Sequence, residues 1–333
     1  MRKLIAAAAL ALSACSTASD EIASADSTLP ISPPPIARCM NLGSALEATY
    51  EGEWGYTVRR EDLERIKAVG FDTIRLPVRW SAHALEDAPY TLSPDMLARV
   101  HEIAGWAETI GLNIIINVHH YDALNDAPEQ HEPRLEAIWD QLAASFAGAS
   151  NLVIFETLNE PHTNMSVART DALNKRLMQR IRLDNPDRWV ILATANWGNL
   201  DALEASRPDY DPRVMLTLHS YTPFDFTHQG APWADAPRTG VRWGTRSDLK
   251  EMRADLDDAV EVQTQQRMPV VVGEFGVYEG VPVEARVRWT RAMRTEMEAR
   301  GLAWCYWDYA GSLKAYELET ETWIPEVKAA LLD

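Results

Sequence analysis

Eight short apolar runs alternate with amphipathic stretches along most of this chain. Each run is rich in Ile, Val and Leu and shows no polar face, as expected of strands buried on both sides. Buried strands joined by helical crossovers predict a parallel sheet, and eight such units favour a closed (β/α)8 TIM barrel over an open doubly wound sheet. We therefore predict a single α/β domain over residues 36–333. The predicted strands are 36–42, 71–76, 112–118, 152–158, 189–194, 213–218, 268–273 and 302–307.

The stretch 94–110 illustrates the helices between these strands. Ser93 is a natural N-cap, Pro94 suits the first helical position, and Gly111 is placed to end the helix. No Gly-x-Gly-x-x-Gly motif follows the first strand, which argues against a dinucleotide-binding fold.

Polar and aromatic residues follow the last apolar residue of every predicted strand. In a parallel barrel these positions all lie at one mouth, where barrel enzymes carry their chemistry. One polar residue at a strand end means little, but a whole ring of them would be costly without a ligand. The ring consists of Asn41, Arg75, His119-His120-Tyr121, Asn159-Glu160, Asn196-Trp197, His219 with Tyr221, Glu274 and Trp307-Asp308.

Glu160 and Glu274 are the two carboxylates that end strands directly, on the fourth and seventh runs. Taken alone, Asn159-Glu160-Pro161 is equally typical of a simple turn. As a pair, however, two carboxyl groups are what glycosidic bond cleavage requires. A separation of about 5–5.5 Å retains the anomeric configuration, whereas about 6.5–9.5 Å admits a water and inverts it.

Six motifs in order make the pattern specific: "NLGSALEATYEGEWG" (41–55), "IRLPVRW" (74–80), "NVHHY" (117–121), "TLNEPH" (157–162), "LHSYTPFDFTHQGAPW" (218–233) and "VVGEFG" (271–276). From about residue 38 to 330 the chain resembles glycoside hydrolase family 5, most closely its bacterial endoglucanases and mannanases. The resemblance implies a retaining mechanism in which Glu160 is the general acid/base and Glu274 the nucleophile.

The same resemblance implies roles for the surrounding residues. Asn159 would bind the sugar 2-hydroxyl, and Arg75 would keep the nucleophile ionised, giving Glu274 a low pKa and Glu160 a raised one. Structural roles remain open for several of these side chains: a separate buried ion pair for Arg75, core packing for any one histidine, and a lid for loop aromatics. The implied substrate-site residues are His119, His120, His219, Tyr221, Trp307, Trp233, His228, Glu47 and Ser44.

Three positions depart from the pattern of close relatives. Ser44 stands where Asn is usual, Ser220 where a second aromatic is usual, and Asp308-Tyr309 where Glu-Phe is commoner. These departures leave glucan and mannan both open as substrates. An exo-acting glycosidase, a transglycosylase and a non-catalytic glycan-capture protein also remain alternatives.

The net charge of −17 and the pI near 4.9 argue against nucleic acid or an acidic membrane surface as a partner. The 12 Trp against 6 Phe exceed what core packing usually needs and suit sugar platforms. Neither His101-Glu102 nor His131-Glu132 completes a His-Glu-x-x-His motif, so we expect no metal site. We also expect no cofactor, and we expect the protein to be a monomer.

The N-terminus predicts export. Arg2-Lys3 precedes an apolar run and then "LSAC", which resembles a bacterial lipoprotein signal ending at a lipidated Cys15, with ordinary cleavage nearby as the alternative. Ser16 after the cysteine favours release to the outer membrane. Residues 16–35, rich in Ala, Ser, Thr and Pro, predict a flexible tether.

Cys39 and Cys305 fall in the first and last predicted strands, which a closed barrel brings together. Export would permit a disulfide, but neighbouring parallel strands rarely offer its geometry. We therefore expect two buried thiols.

Overall fold

A computed structural model describes residues 31–234 and 238–333. Eight parallel strands, each hydrogen-bonded to the next and the last to the first, close into a barrel, which confirms the predicted fold. Every strand overlaps a predicted apolar run. The strands are β1 (Arg38–Asn41), β2 (Thr73–Leu76), β3 (Asn113–Asn117), β4 (Val153–Glu156), β5 (Val190–Leu192), β6 (Val214–His219), β7 (Val270–Phe275) and β8 (Ala303–Tyr306).

Helices fill the connections. Around the helix Pro94–Ile110 the predicted caps are present: the Ser93 side chain accepts a hydrogen bond from Met96 N, and Gly111 is left-handed with φ of 77°. A 3₁₀ turn spans Trp80–Ala82. The helices are α1 (Arg60–Ala68), α2 (Pro94–Ile110), α3 (Asp122–Asp126), α4 (Pro128–Ser145), α5 (Val167–Asp184), α6 (Ala195–Gly198), α7 (Leu200–Ala205), α8 (Phe224–Thr227), α9 (Arg246–Gln266), α10 (Val283–Ala299) and α11 (Pro325–Leu332).

A small antiparallel hairpin, β9 (Tyr316–Glu317) with β10 (Thr322–Trp323), follows the barrel and was not predicted. Two-residue strands carry too little hydrophobic pattern to be recognised in a sequence. The predicted signal peptide, the Cys15 lipidation site and tether residues 16–30 lie outside the described residues and stay predictions. Within residues 31–234 and 238–333, no helix is long and apolar enough to cross a membrane.

The barrel interior is layered because strand side chains alternate between the two faces. A buried apolar layer that includes Cys39, Ile115 and Ile154 fills the middle of the barrel. Asn41 lies two residues beyond Cys39 on β1 and faces the same interior, and Arg75 on β2 is its partner in the register. Both side chains are fully buried, so the interior becomes polar towards the mouth.

Cys39 and Cys305 are direct partners in the β1–β8 register, and the structure joins them in a disulfide, with Cα atoms 4.1 Å apart. The expectation of two buried thiols was wrong. Both side chains point into the barrel from adjacent strands at the same height, so the closure of the barrel itself brings the sulfurs together. The bridge links the first strand of the barrel to the last.

Candidate active site

The two glutamates meet at the barrel mouth. Glu274 belongs to β7, whereas Glu160 lies beyond β4 on a segment tied to β3 by a 2.8 Å hydrogen bond from Asn159 N to Val118 O. Glu160 has a φ of 44°, a strained value for a non-glycine residue and one that is common at functional sites. One carboxylate oxygen of each glutamate lies within 4.8 Å of the other.

Arg75 is the charged centre beneath the pair. Its Nη1 donates to Glu274 Oε1 at 2.8 Å, and its Nη2 donates to Asn159 Oδ1 at 2.7 Å. Its Nε and Nη2 also make a two-pronged ion pair with Glu156, at 2.6 and 2.7 Å. Arg75 is wholly buried, which opposes its charge, but the two glutamates more than offset this cost and raise its pKa. The arginine thus braces the glutamate and the asparagine.

His219 and Tyr221 complete the ring. His219 Nδ1 lies 2.8 Å from Glu160 Oε1 and 3.7 Å from Glu274 Oε2, so it bridges the two carboxylates. Tyr221 donates its hydroxyl to Glu274 Oε2 at 2.9 Å. Glycine is required at position 273, because a Cβ there would lie 3.0 Å from His219 Nε2 and 2.6 Å from a neighbouring hydroxyl.

The protonation of this ring differs from the sequence-based expectation. Burial raises the pKa of Glu274, and the nearby charge of Glu160 adds to that effect despite the opposing His219 and Arg75. Burial acts on Glu160 too, but the hydrogen bond and charge of His219 outweigh it and lower the pKa of Glu160. Burial would lower the pKa of His219, yet both glutamates together raise it. In the ligand-free site the expected division is reversed, because His219 bonds to Glu160.

Glu160, His219 and Glu274 offer ligand atoms close enough together to hold a cation. The same atoms are already engaged with one another, with Tyr221 and with Arg75, and the guanidinium lies 2.8 Å from Glu274. A cation would have to displace these contacts and would be repelled by the fixed positive charge of Arg75. The arrangement therefore favours the exchange of a proton between the histidine and the glutamates over the binding of a metal ion.

An aromatic wall flanks the carboxylates. The partly exposed Trp307 indole lies nearly parallel to His119, with ring centroids 5.6 Å apart and an interplanar angle of 10°. His119 in turn meets His120 edge-on at 4.4 Å. Burial lowers the pKa of both histidines, most strongly that of His119, which keeps them neutral at physiological pH. Trp54, 48% exposed, packs edge-on against His120 and extends the wall.

Glu47 and Ser44 are brought together in the loop after β1. The Glu47 carboxylate accepts hydrogen bonds from Ser44 N and Ala45 N, and its side chain is buried. In this conformation Glu47 shapes the loop rather than presenting its oxygens to solvent. Burial raises the pKa of Glu47 to about 8, although these backbone donors favour the anion.

The predicted loop residues lie further out. His228 stacks on Phe224 at 4.1 Å and meets Tyr221 edge-on at 4.9 Å, so it adjoins the ring. Burial lowers its pKa to about 4. Trp233 is 52% exposed and contacts Tyr278 rather than the carboxylate ring.

Two features of the site were missed in the sequence. In the sequence, Glu156 is one polar residue near the end of a buried strand. Its role as the second ion-pair partner of Arg75 becomes visible only in the structure. Trp197 stands at a predicted strand end, but nothing in the sequence indicated that its 52% exposed indole stacks on His162 at 4.6 Å. Because this indole is exposed to solvent, it offers a second flat aromatic face at the mouth, in addition to Trp307.

Comparisons with known proteins agree with this geometry. The family model described as cellulase, glycosyl hydrolase family 5, matches residues 42–312. Endoglucanase H of Acetivibrio thermocellus is 32% identical over 299 residues, covering 88% of this chain and 32% of the relative, so the chain spans about a third of that protein. Endoglucanase B of Clostridium cellulovorans is 28% identical over 326 residues, covering 88% of this chain and 72% of the relative.

Solved structures show the same barrel. Cel5A of Thermotoga maritima, crystallised with mannotriose, superposes with a TM-score of 0.87 at 34% identity over 89% of this chain and 97% of that one. The same enzyme in complex with cellobiose gives a TM-score of 0.87 at 35% identity, with the same coverage of both chains. Since the family match spans most of the barrel and includes both carboxylates, this chain belongs to glycoside hydrolase family 5, the cellulase family.

Proposed function

We propose that this protein is a retaining endo-β-1,4-glycanase that hydrolyses a glucan by double displacement. The observation that carries the proposal is the distance between the two carboxylates. An oxygen of Glu160 lies within 4.8 Å of one of Glu274, which fits the spacing of retaining enzymes and leaves no room for the water that an inverting enzyme places between them.

In the first step a Glu274 oxygen attacks the anomeric carbon while Glu160 protonates the departing glycosidic oxygen. The bond to the leaving sugar breaks and a glycosyl ester forms on Glu274. In the second step Glu160 takes a proton from water, the water oxygen attacks the same carbon, and Glu274 leaves as a carboxylate. Each carboxylate is used twice, and no cofactor is needed.

The His219 bridge supplies the proton that the first step requires. A protonated His219 lies 2.8 Å from Glu160 Oε1, so the proton reaches the acid along an existing hydrogen bond. Glu274 stays oriented by Arg75 and Tyr221, whose donors occupy one oxygen each. Both donors also stabilise the carboxylate when it departs in the second step.

Sugar binding would use the groups around this pair. Asn159 Oδ1 accepts a hydrogen bond from Arg75, which leaves the Asn159 Nδ2 to donate to a sugar hydroxyl. The Trp307 indole offers a flat face beside the carboxylates, and the exposed Trp54 and Trp197 offer further platforms. Several separate platforms favour a long bound chain and hence cleavage inside it.

Glucan is the leading substrate, because the named relatives are endoglucanases. A mannanase or dual activity is the second candidate, supported by the Cel5A complex with mannotriose at 34% identity. Ser44 and Asp308, beside the Trp307 platform, differ from the residues that are usual at these positions. We expect these two residues to determine the preference between glucan and mannan.

We further propose that the protein is exported as a monomer and carries lipid on Cys15. The support is the "LSAC" sequence after a short apolar run. Incorporation of labelled palmitate by the full chain, and its loss in Cys15→Ser, tests the anchor. Light scattering of the detergent-solubilised protein tests the oligomeric state.

The enzymatic proposal is tested by reducing-sugar release from barley β-glucan, lichenan, xylan, glucomannan and galactomannan. Glu160→Ala and Glu274→Ala should each abolish release, while Asp87→Ala, an exposed loop residue, should leave it unchanged. A rapid fall in viscosity relative to reducing ends would support endo over exo action. Binding without turnover on any polymer would instead support the glycan-capture alternative.

A further inference from the structure

A groove lies beside the catalytic mouth, between the loop that leads into α9 and the start of α10. It has a volume of about 740 Å³, and Arg242, Arg288 and Tyr278 are among its lining residues. An adjoining cavity of about 490 Å³ shares Arg288 and adds Arg291. We refer to this surface, defined by Arg242, Arg288, Arg291 and Tyr278, as the arginine groove. It is separate from the carboxylate ring described above.

The three arginines of the groove are exposed and carry no carboxylate partner within 4.0 Å among the described residues. By contrast, the partly exposed arginines along α5, such as Arg169 and Arg180, each hold two carboxylates. The groove has nearby acids, but Glu296 is already paired with two other arginines, which leaves Glu284. The groove is therefore a local positive surface on a protein of net charge −17.

Arg288 is held in place rather than free to move. Its Nη1 donates to Trp243 O at 3.1 Å, and its Cδ lies 2.8 Å from where a Cβ on Gly244 would be. Gly244 has a φ of 114°, which favours glycine there as well. An anchored guanidinium loses little entropy on binding a carboxylate, and its planar donors match the two oxygens of that group.

The groove begins at the mouth end of the barrel, because much of its lining comes from the loops that follow β6 and β7. Tyr278 meets Trp233 edge-on at 5.1 Å, and its backbone N donates to Thr227 O at 2.8 Å. Thr227 in turn donates its hydroxyl to the backbone O of Tyr221 at 2.7 Å, and Tyr221 bonds the proposed nucleophile. These contacts link a lining residue of the groove to the carboxylate ring, so the groove and the mouth lie on the same side of the barrel.

We propose that the arginine groove binds carboxylate groups on the substrate, so that the preferred polymer is a β-glucan whose substituents carry acid groups. The inference rests on the proposed function for the backbone in the mouth and adds the class of substituent. Carboxylates fit better than the neutral hydroxyls of an unsubstituted glucan, because guanidinium groups that have no carboxylate partner among the described residues gain charge-assisted hydrogen bonds only from an anion.

The test compares two soluble polymers with the same backbone, carboxymethyl-cellulose and hydroxyethyl-cellulose, on the full chain. The variant Arg242→Gln/Arg291→Gln removes two charges that have no carboxylate partner in the part of the chain that the structure describes. The matched control Arg213→Gln/Arg267→Gln removes two charges at the opposite end of the barrel, just before β6 and β7.

At low salt we expect the groove variant to lose about five- to tenfold in kcat/KM on carboxymethyl-cellulose, because two solvent-exposed charge contacts are removed. Its kcat/KM on hydroxyethyl-cellulose should not change. The loss should disappear at 1 M salt, and the control should match the wild type. An equal loss on both polymers, or no loss on the anionic one, would overturn the proposal.

If the protein proves inactive on every polymer, the proposed function fails, but the groove is still testable. Electrophoretic retardation of the full chain in gels containing each polymer measures binding without turnover. Retardation by carboxymethyl-cellulose that falls in the groove variant and not in the control supports the groove. Retardation by a phosphorylated cellulose alone would refute the carboxylate assignment in favour of a phosphate ligand.

Discussion

Asp308 offers a sharp test of the electrostatics inside this barrel. It is fully buried beside the loop after β1, and its Oδ2 accepts a 2.9 Å hydrogen bond from Gly311 N. Its Oδ1 has no hydrogen-bond partner among the residues that the structure describes. Burial raises the pKa of Asp308 to about 7 from its ordinary 3.8, with the charges of Glu274 and Glu279 adding to the effect.

The sign follows from proton binding. Between pH 3.8 and about 7 the folded protein holds a proton on Asp308 that the unfolded chain has released, so this group makes stability fall as pH rises through that window. The difference of about 3 pH units, at about 1.4 kcal/mol each, amounts to about 4 kcal/mol. Asp308→Asn keeps the hydrogen-bond acceptor for Gly311 and cannot ionise, so it should remove this loss.

The assay is urea unfolding followed by tryptophan fluorescence at pH 5 and pH 8. The free energy of unfolding of Asp308→Asn should exceed that of the wild type by about 2–3 kcal/mol more at pH 8 than at pH 5, because only the part of the window between pH 5 and about 7 contributes. The exposed Asp87→Asn is the control and should parallel the wild type. If Asp308→Asn also parallels the wild type at both pH values, a neutral buried Asp308 is refuted.

Three further perturbations test other parts of the site. Arg75→Met leaves two buried carboxylates uncompensated and should cost about 3–5 kcal/mol of unfolding free energy in urea titrations; a near-neutral effect would contradict its bracing role. Tyr221→Phe removes one of the two donors to Glu274 and should lower kcat about 100-fold while stability changes little; an equal rise in KM at constant kcat would point to substrate binding instead. Cys39→Ser opens a bridge between residues 266 apart, which a chain-entropy argument values at about 5 kcal/mol, so its melting temperature should fall and should no longer respond to reductant present during the scan.

The sequence predicted the barrel because buried parallel strands leave a pattern that survives without any tertiary information. It placed the ends of β6 and β7 too early, at the last apolar residue. In the structure these strands continue through His219 and Glu274, which are partners in the register. Buried polar side chains in an active site break the pattern on which the prediction rests.

The sequence predicted which residues form the site, but it did not predict the hydrogen bonds and ion pairs between them. The motifs located Glu160 and Glu274, and the barrel brings them together. The second partner of Arg75, Glu156, depends on which strands face each other across the interior, whereas the disulfide depends on the register between the adjacent strands β1 and β8. The reversed pKa order depends on one hydrogen bond from His219, which no spacing in the sequence encodes.

The most direct test of the central claim is to trap the covalent intermediate. A 2-deoxy-2-fluoro-cellobioside with a good leaving group should form the glycosyl ester quickly and hydrolyse it slowly. Mass spectrometry of the intact protein, followed by peptide mapping, should then show one added fluoroglycosyl unit on the peptide that contains Glu274, and none in Glu274→Ala. Turnover of the substrate without any adduct, or an adduct on Glu160, would contradict the proposed mechanism.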